Sequence, residues 1–131
     1  MIGIVIVSHS PKIAAGVKDL ADQMAQGRIT IVAAGGLDEE TIGTNAERIH
    51  AALVEAACPD GTLILVDMGS AVMSTQAAVE MLPEGDRSRV SLTNAPLVEG
   101  AIVAAVEASI GKSLAEVKAA AEGATEIDKL A

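Results

Sequence analysis

Near the amino terminus an apolar run, Gly3-Ile4-Val5-Ile6-Val7, gives way abruptly to Ser8-His9-Ser10-Pro11-Lys12. Ser10 suits a helix N-cap and Pro11 the first helical position, where its missing N–H costs nothing. The amides of Lys12 and Ile13 then face the loop, and a helix start offers an anion both unpaired donors and a partial positive charge. His9 is therefore placed to carry a phosphoryl group. A neutral imidazole is a nucleophile near pH 7, and its second nitrogen needs an acceptor to fix the tautomer and support the cation formed on attack. Asp67, following the apolar stretch Thr62-Leu63-Ile64-Leu65-Val66, is the natural acceptor. Gly69 and Ser70 come next and can bring a backbone N–H and a hydroxyl to the phosphoryl oxygens at a second helix start. The same residues would also make a plain capped loop and a tight turn without any chemistry.

These residues must be positioned by elements distant in the chain. Four short, β-branched segments bounded by turn residues read as strands: Ile2 to Val7, Arg28 to Ala33, Thr62 to Val66 and Arg89 to Thr93. Their continuous apolar character fits strands covered on both faces of a parallel sheet. Helical spacing links Ile13, Val17, Leu20 and Met24, and again Ala46, Ile49, Leu53 and Ala57, each set forming a stripe that can bury on the sheet. Alanine-rich Met68 to Leu82 and Pro96 to Ile110 are two further helices, and Leu114, Val117 and Ala121 mark a last short one. The tail from Gly123 to Ala131 reads as loosely held. The order β-α-β-α-β-α-β-α-α predicts an α/β, doubly wound, four-stranded parallel sheet of order 2-1-3-4 with helices on both faces and right-handed crossovers. Its switch point falls between the first and third strands, where the His9 and Asp67 loops meet.

At 131 residues the chain fits a single domain spanning 1–131. With no Phe, Tyr or Trp, nothing can stack on a base. Nine basic against eighteen acidic residues give a formal charge of −9, which repels nucleic acid and anionic membranes and favours a basic partner. The apolar run is far shorter than the roughly 18 residues of a membrane span, and one cysteine, Cys58, can form no intrachain disulfide, so a cytoplasmic protein is expected. His50 lies beside an apolar helical stripe with no spaced ligand nearby, which predicts solvent exposure and no metal site.

Two nucleotide motifs fail. Gly111-Lys112-Ser113 resembles the end of a P-loop, but Val106 stands where its first glycine belongs and no strand immediately precedes it. Ala33-Ala34-Gly35-Gly36 follows a strand, yet Leu37-Asp38-Glu39 would repel a pyrophosphate. The acidic loop Gly36 to Thr44 leaves the second strand on the same edge as His9; it would serve recognition or, through Thr44, cap the second helix.

Taken together, GIVIVSHSPKIAAGVKDLADQM, AAGGLDEETIGT, LVDMGSAVMSTQAA and NAPLVEGA resemble the phosphoryl-donor subunits of phosphotransferase-system-dependent dihydroxyacetone kinases, from Met1 to about residue 121. More distantly the chain is similar to mannose-type enzyme IIA domains. The resemblance implies that His9 accepts a phosphoryl group from the phosphohistidine carrier HPr and passes it to ADP. That nucleotide, as ADP or ATP, would stay on the nucleotide-binding subunit of the kinase, so that this chain binds no cofactor itself. It also implies a homodimer. An enzyme IIA that phosphorylates a transporter's IIB domain would use the same chemistry, and a non-catalytic binding module would fill the same crevice.

Overall fold

The computed structural model describes residues 1–131. Strands β1 (Gly3–Ser8), β2 (Ile31–Gly35), β3 (Thr62–Val66) and β4 (Val90–Leu92) form one parallel sheet in the order β2-β1-β3-β4. The helices are α1 (Pro11–Ala25), α2 (Ala46–Glu55), α3 (Gly69–Glu80), α4 (Glu84–Arg87), α5 (Leu97–Ser109) and α6 (Leu114–Glu122). The α/β sandwich of order 2-1-3-4 predicted above is thus the observed one, with α4 as an additional single turn before β4.

Alternation along the central strands explains why they read as unbroken apolar runs. Ile4, Ile6, Leu63 and Leu65 point to one face and pack with Ala14, Val17 and Ala21 of α1, Ala101, Ala104 and Ala105 of α5, and Val117 of α6. Val5, Val7, Val32 and Ile64 point to the other and pack with Ile49 and Leu53 of α2 and with Ala71 and Ala78 of α3. Each fully buried aliphatic side chain of this kind contributes about 1.5–3 kcal/mol of transfer free energy. Because the chain leaves β1 toward α1 on one face and β3 toward α3 on the other, the two loops diverge between these neighbouring strands, and a crevice opens there.

The stripe expected on α1 is out of phase. Ala14, Val17, Ala21 and Ala25 are buried, whereas Ile13, Leu20 and Met24 are each about half exposed, at 50%, 49% and 51%. Small side chains on the inner face let α1 approach the sheet and α5 closely, and the larger ones are left outside. The first residues of the second predicted strand are also displaced. Gln26 adopts a left-handed C-cap, and the N–H groups of Gln26, Gly27 and Arg28 return to carbonyls of α1, so Arg28 cannot join the sheet.

In the tail, Gly123–Glu126 form a 3₁₀ turn that buries Ala124, and Lys129 pairs with Glu99 of α5, while residues 125–131 are exposed. No helix is long and apolar enough to cross a membrane.

Candidate active site

The carboxyl ends of β1 and β3 lie side by side and bring His9 against Asp67. His9 Nδ1 is 3.0 Å from Asp67 Oδ1, and His9 Nε2 is 2.7 Å from Ser70 Oγ in the first turn of α3. A carboxylate only accepts, so Nδ1 carries the proton of the neutral ring and donates it to Asp67. Nε2 keeps its lone pair, into which the Ser70 hydroxyl donates. The side chains of His9 and Asp67 are 19% and 15% exposed, with Nε2 and Ser70 at the solvent-facing end. The ring is thus fixed through one nitrogen and presented through the other.

Asp67 is itself tightly held. Its Oδ2 accepts the His9 backbone N–H and the Ser8 hydroxyl, both at 2.9 Å, and its Oδ1 also accepts the Met68 N–H at 2.8 Å. Burial pushes this carboxyl upward, but the backbone N–H and ring of His9 and the Ser8 hydroxyl outweigh it, so Asp67 is held below its ordinary value of 3.8. It is therefore an anion at neutral pH, as support of an imidazolium requires. Ser8, fully buried, accepts the Ser10 N–H at 3.0 Å in turn. Ser8 was not among the residues singled out from the sequence. The signal for it was present all the same: a hydroxyl ending a strand covered on both faces must find a partner.

The remaining expected residues divide. Ser10 caps α1, its Oγ accepting the Ile13 N–H at 3.2 Å, so the Ile13 amide is taken up by the cap and does not face an incoming anion. The exposed Lys12 lines a hollow of about 400 Å³ with Ser10, Glu39, Glu40 and Ile42, beside His9. The first turn of α3 has no side-chain cap, which leaves the amides of Gly69 and Ser70 facing the crevice end of the helix. Gly35 explains the closeness of the second loop: a Cβ there would stand 2.6 Å from the Ser10 carbonyl oxygen, so only glycine lets β2 abut the start of α1.

Thr44 does not cap α2. Asn45 does, its side chain accepting the Glu47 N–H at 2.9 Å, while Thr44 Oγ1 turns to Ser74 Oγ of α3 at 2.6 Å. Away from the site, His50 is half-buried rather than exposed, at the rim of a hollow of about 510 Å³ at the opposite end of the sheet, shared with Cys58 and Arg89. No three His, Cys, Asp or Glu side chains come together in a metal-binding group. Gly111-Lys112-Ser113 forms a turn in which Ser113 caps α6 in a reciprocal box with Glu116.

This geometry can be set beside known proteins. Residues 3–118 match the family of the PTS system fructose IIA component, of mannose-type enzyme IIA. Phosphoryl donor subunit DhaM of PEP-dependent dihydroxyacetone kinase 2 from Listeria innocua is 35% identical over 113 residues, covering 86% of this chain and 90% of that one. The chain belongs to the mannose-type enzyme IIA family. Within that family, the DhaM donor subunit of Providencia stuartii is 39% identical over 120 residues, 89% of this chain but 25% of that protein. The chain thus spans about a quarter of that relative's length. The crystal structure of the unknown function protein EF1359 superposes with a TM-score of 0.83 at 34% identity, covering 94% of this chain and 95% of that one. The enzyme IIA fold and the family of the four sequence motifs therefore agree.

Proposed function

We propose that this protein is a phosphoryl carrier of the phosphotransferase system, with His9 Nε2 as the atom that receives and releases the group. The observation that carries this reading is the Asp67–His9–Ser70 line, which fixes the ring through Nδ1 and turns Nε2, with its lone pair toward the Ser70 hydroxyl, to the solvent-facing end of the site. Phosphorylated HPr is the donor. As the Nε2–P bond forms, the P–N bond to the donor imidazole breaks and its electron pair returns to that ring. His9 becomes an imidazolium whose Nδ1–H remains on the Asp67 anion. Ser70 Oγ moves from Nε2 to a phosphoryl oxygen, and the amides of Gly69 and Ser70 with Ser10 and Lys12 supply the remaining positive field.

In the second step an oxygen of the ADP β-phosphate attacks the same phosphorus, the Nε2–P bond breaks, and ATP is left on the nucleotide-binding subunit of dihydroxyacetone kinase. Positioning and charge stabilisation supply most of the catalysis in both exchanges. The chain itself takes no cofactor in this reading, and it works as a homodimer in the cytoplasm.

Incubation with enzyme I, HPr and phosphoenolpyruvate is expected to add one acid-labile, base-stable phosphoryl group to the wild type and none to His9→Ala. Persistent label on the variant overturns the assignment. Mixing the phosphorylated protein with ADP-loaded nucleotide subunit is expected to yield bound ATP. Transfer to a transporter IIB domain instead would make the protein a transport enzyme IIA.

A further inference from the structure

The segment Ile42-Gly43-Thr44 ends the acidic loop that runs beside His9, yet none of its side chains hydrogen-bonds the imidazole. Its contacts run behind the site. The Gly43 N–H donates to the His9 backbone carbonyl at 2.8 Å, and Thr44 Oγ1 meets Ser74 Oγ at 2.6 Å. Ser74 and Ser70 are four residues apart on α3 and so share one face of that helix. Ser70 closes the circuit on His9 Nε2 at 2.7 Å. One loop therefore grips the backbone of the nucleophile and, one residue later, the helix that carries its hydrogen-bond partner.

The loop is built to be a fixed object. Leu37 N–H donates to the Thr41 carbonyl, Asp38 Oδ1 accepts the N–H groups of Glu40 and Thr41, and Asn45 Nδ2 donates to the Leu37 carbonyl. Gly43 has φ 140°, a backbone conformation that side chains of L residues rarely adopt, and the Leu37 side chain lies over it, so glycine is favoured at that point.

We propose that Thr44 and Ser74 are positioning residues for phosphoryl transfer at His9, their hydrogen bond locking the β2–α2 loop to α3 so that Ser70 stays in register with Nε2. This rests on the phosphoryl-carrier reading above. α3 has no side-chain cap to anchor its first turn, so besides the His9–Ser70 contact itself the Thr44–Ser74 bond is the side-chain tie that holds α3 to the β2–α2 loop. Ser70 must follow the phosphoryl group on and off Nε2, and a drift of about 1 Å at such a contact is enough to slow a reaction by orders of magnitude.

The test compares Thr44→Val, Ser74→Ala and Thr44→Ser. Two readouts are taken: the ¹⁵N and ¹H shifts of the His9 ring in unphosphorylated protein, and single-turnover phosphorylation over a range of phosphorylated HPr concentrations. Thr44→Val and Ser74→Ala are each expected to move the ring shifts and to lower the limiting rate about tenfold or more. The half-saturating HPr concentration is expected to stay within about twofold, because the loop positions rather than binds. Thr44→Ser, which keeps the hydroxyl, restores both readouts. If Thr44→Val does not fold, Ser74→Ala, which loses only a hydroxyl, decides. Wild-type shifts and rates in the two disruptive variants overturn the proposal, as does a loss confined to half-saturation, which would make the loop a docking surface. Absence of label on the wild type overturns the carrier reading and this one together, whereas normal wild-type labelling with unmoved variants overturns the clasp alone.

Discussion

At the level of single residues, the decisive property of His9 is that its two ring nitrogens are made unequal. Asp67 holds Nδ1–H, and the four donors gathered on that carboxylate leave it little freedom to rotate away. Asp67→Asn preserves size but removes the charge that supports the imidazolium, and phosphorylation of His9 is expected to slow by about 100-fold or more in single-turnover measurements. The same contacts have a consequence for stability. Because folded Asp67 is held below 3.8, the stability it contributes is present above that pH and is lost as pH falls through its lower folded value. The wild type is therefore expected to lose more thermal stability than Asp67→Asn on acidification across that window, as followed by melting curves of the two proteins. His9, Asp67 and Ser70 were legible in the sequence because they sit at strand ends and a helix start. Gly43 and Ser74 are not legible, because nothing in their local sequence marks them and their roles come from partners on other elements.

Among the elements, the strands were legible and the helical faces less so. A strand buried on both sides shows as an uninterrupted apolar run, as in Ile4 to Val7 and Leu63 to Leu65. On α1 the large apolar residues point to the wrong face, because Ala14, Ala21 and Ala25 take the inner positions. Two substitutions invert the usual expectation from hydrophobicity. Ala21→Leu, at a fully buried site, is expected to destabilise by about 1–3 kcal/mol through overpacking, and Leu20→Ala, at a site 49% exposed, to stay within about 0.5 kcal/mol of wild type. Chemical denaturation of both variants checks this. Thr44 and Asn45 are both good capping residues, and their division between α3 and α2 was open until α3 was seen to supply Ser74 as the partner for one of them.

For the whole molecule, a formal charge of −9 bears on encounter rather than on fold. In the proposed reaction this surface would draw a phosphoryl donor whose rim is basic. The second-order rate of phosphorylation by HPr is expected to fall by roughly tenfold on going from low to high salt, with the limiting rate nearly unchanged. Stopped-flow measurements at several ionic strengths check this; a flat response would mean that the acidic residues lie away from the approach path. The order β2-β1-β3-β4 was also set by whole-chain considerations, since crossover handedness and two-sided burial leave few arrangements for four parallel strands. By itself the sequence determined the fold class, the strand that ends in His9, the capped start of α1 and the lack of a P-loop, because each depends on local hydrogen bonding or on periodicity along a few residues. Only the tertiary structure decided which nitrogen of His9 faces Asp67 and which faces Ser70, that the Ile13 amide is consumed by its own cap, and that Thr44 reaches Ser74 rather than α2. Those are choices between partners of similar chemistry, and they turn on differences of an ångström or so that arise when separate elements dock on one sheet.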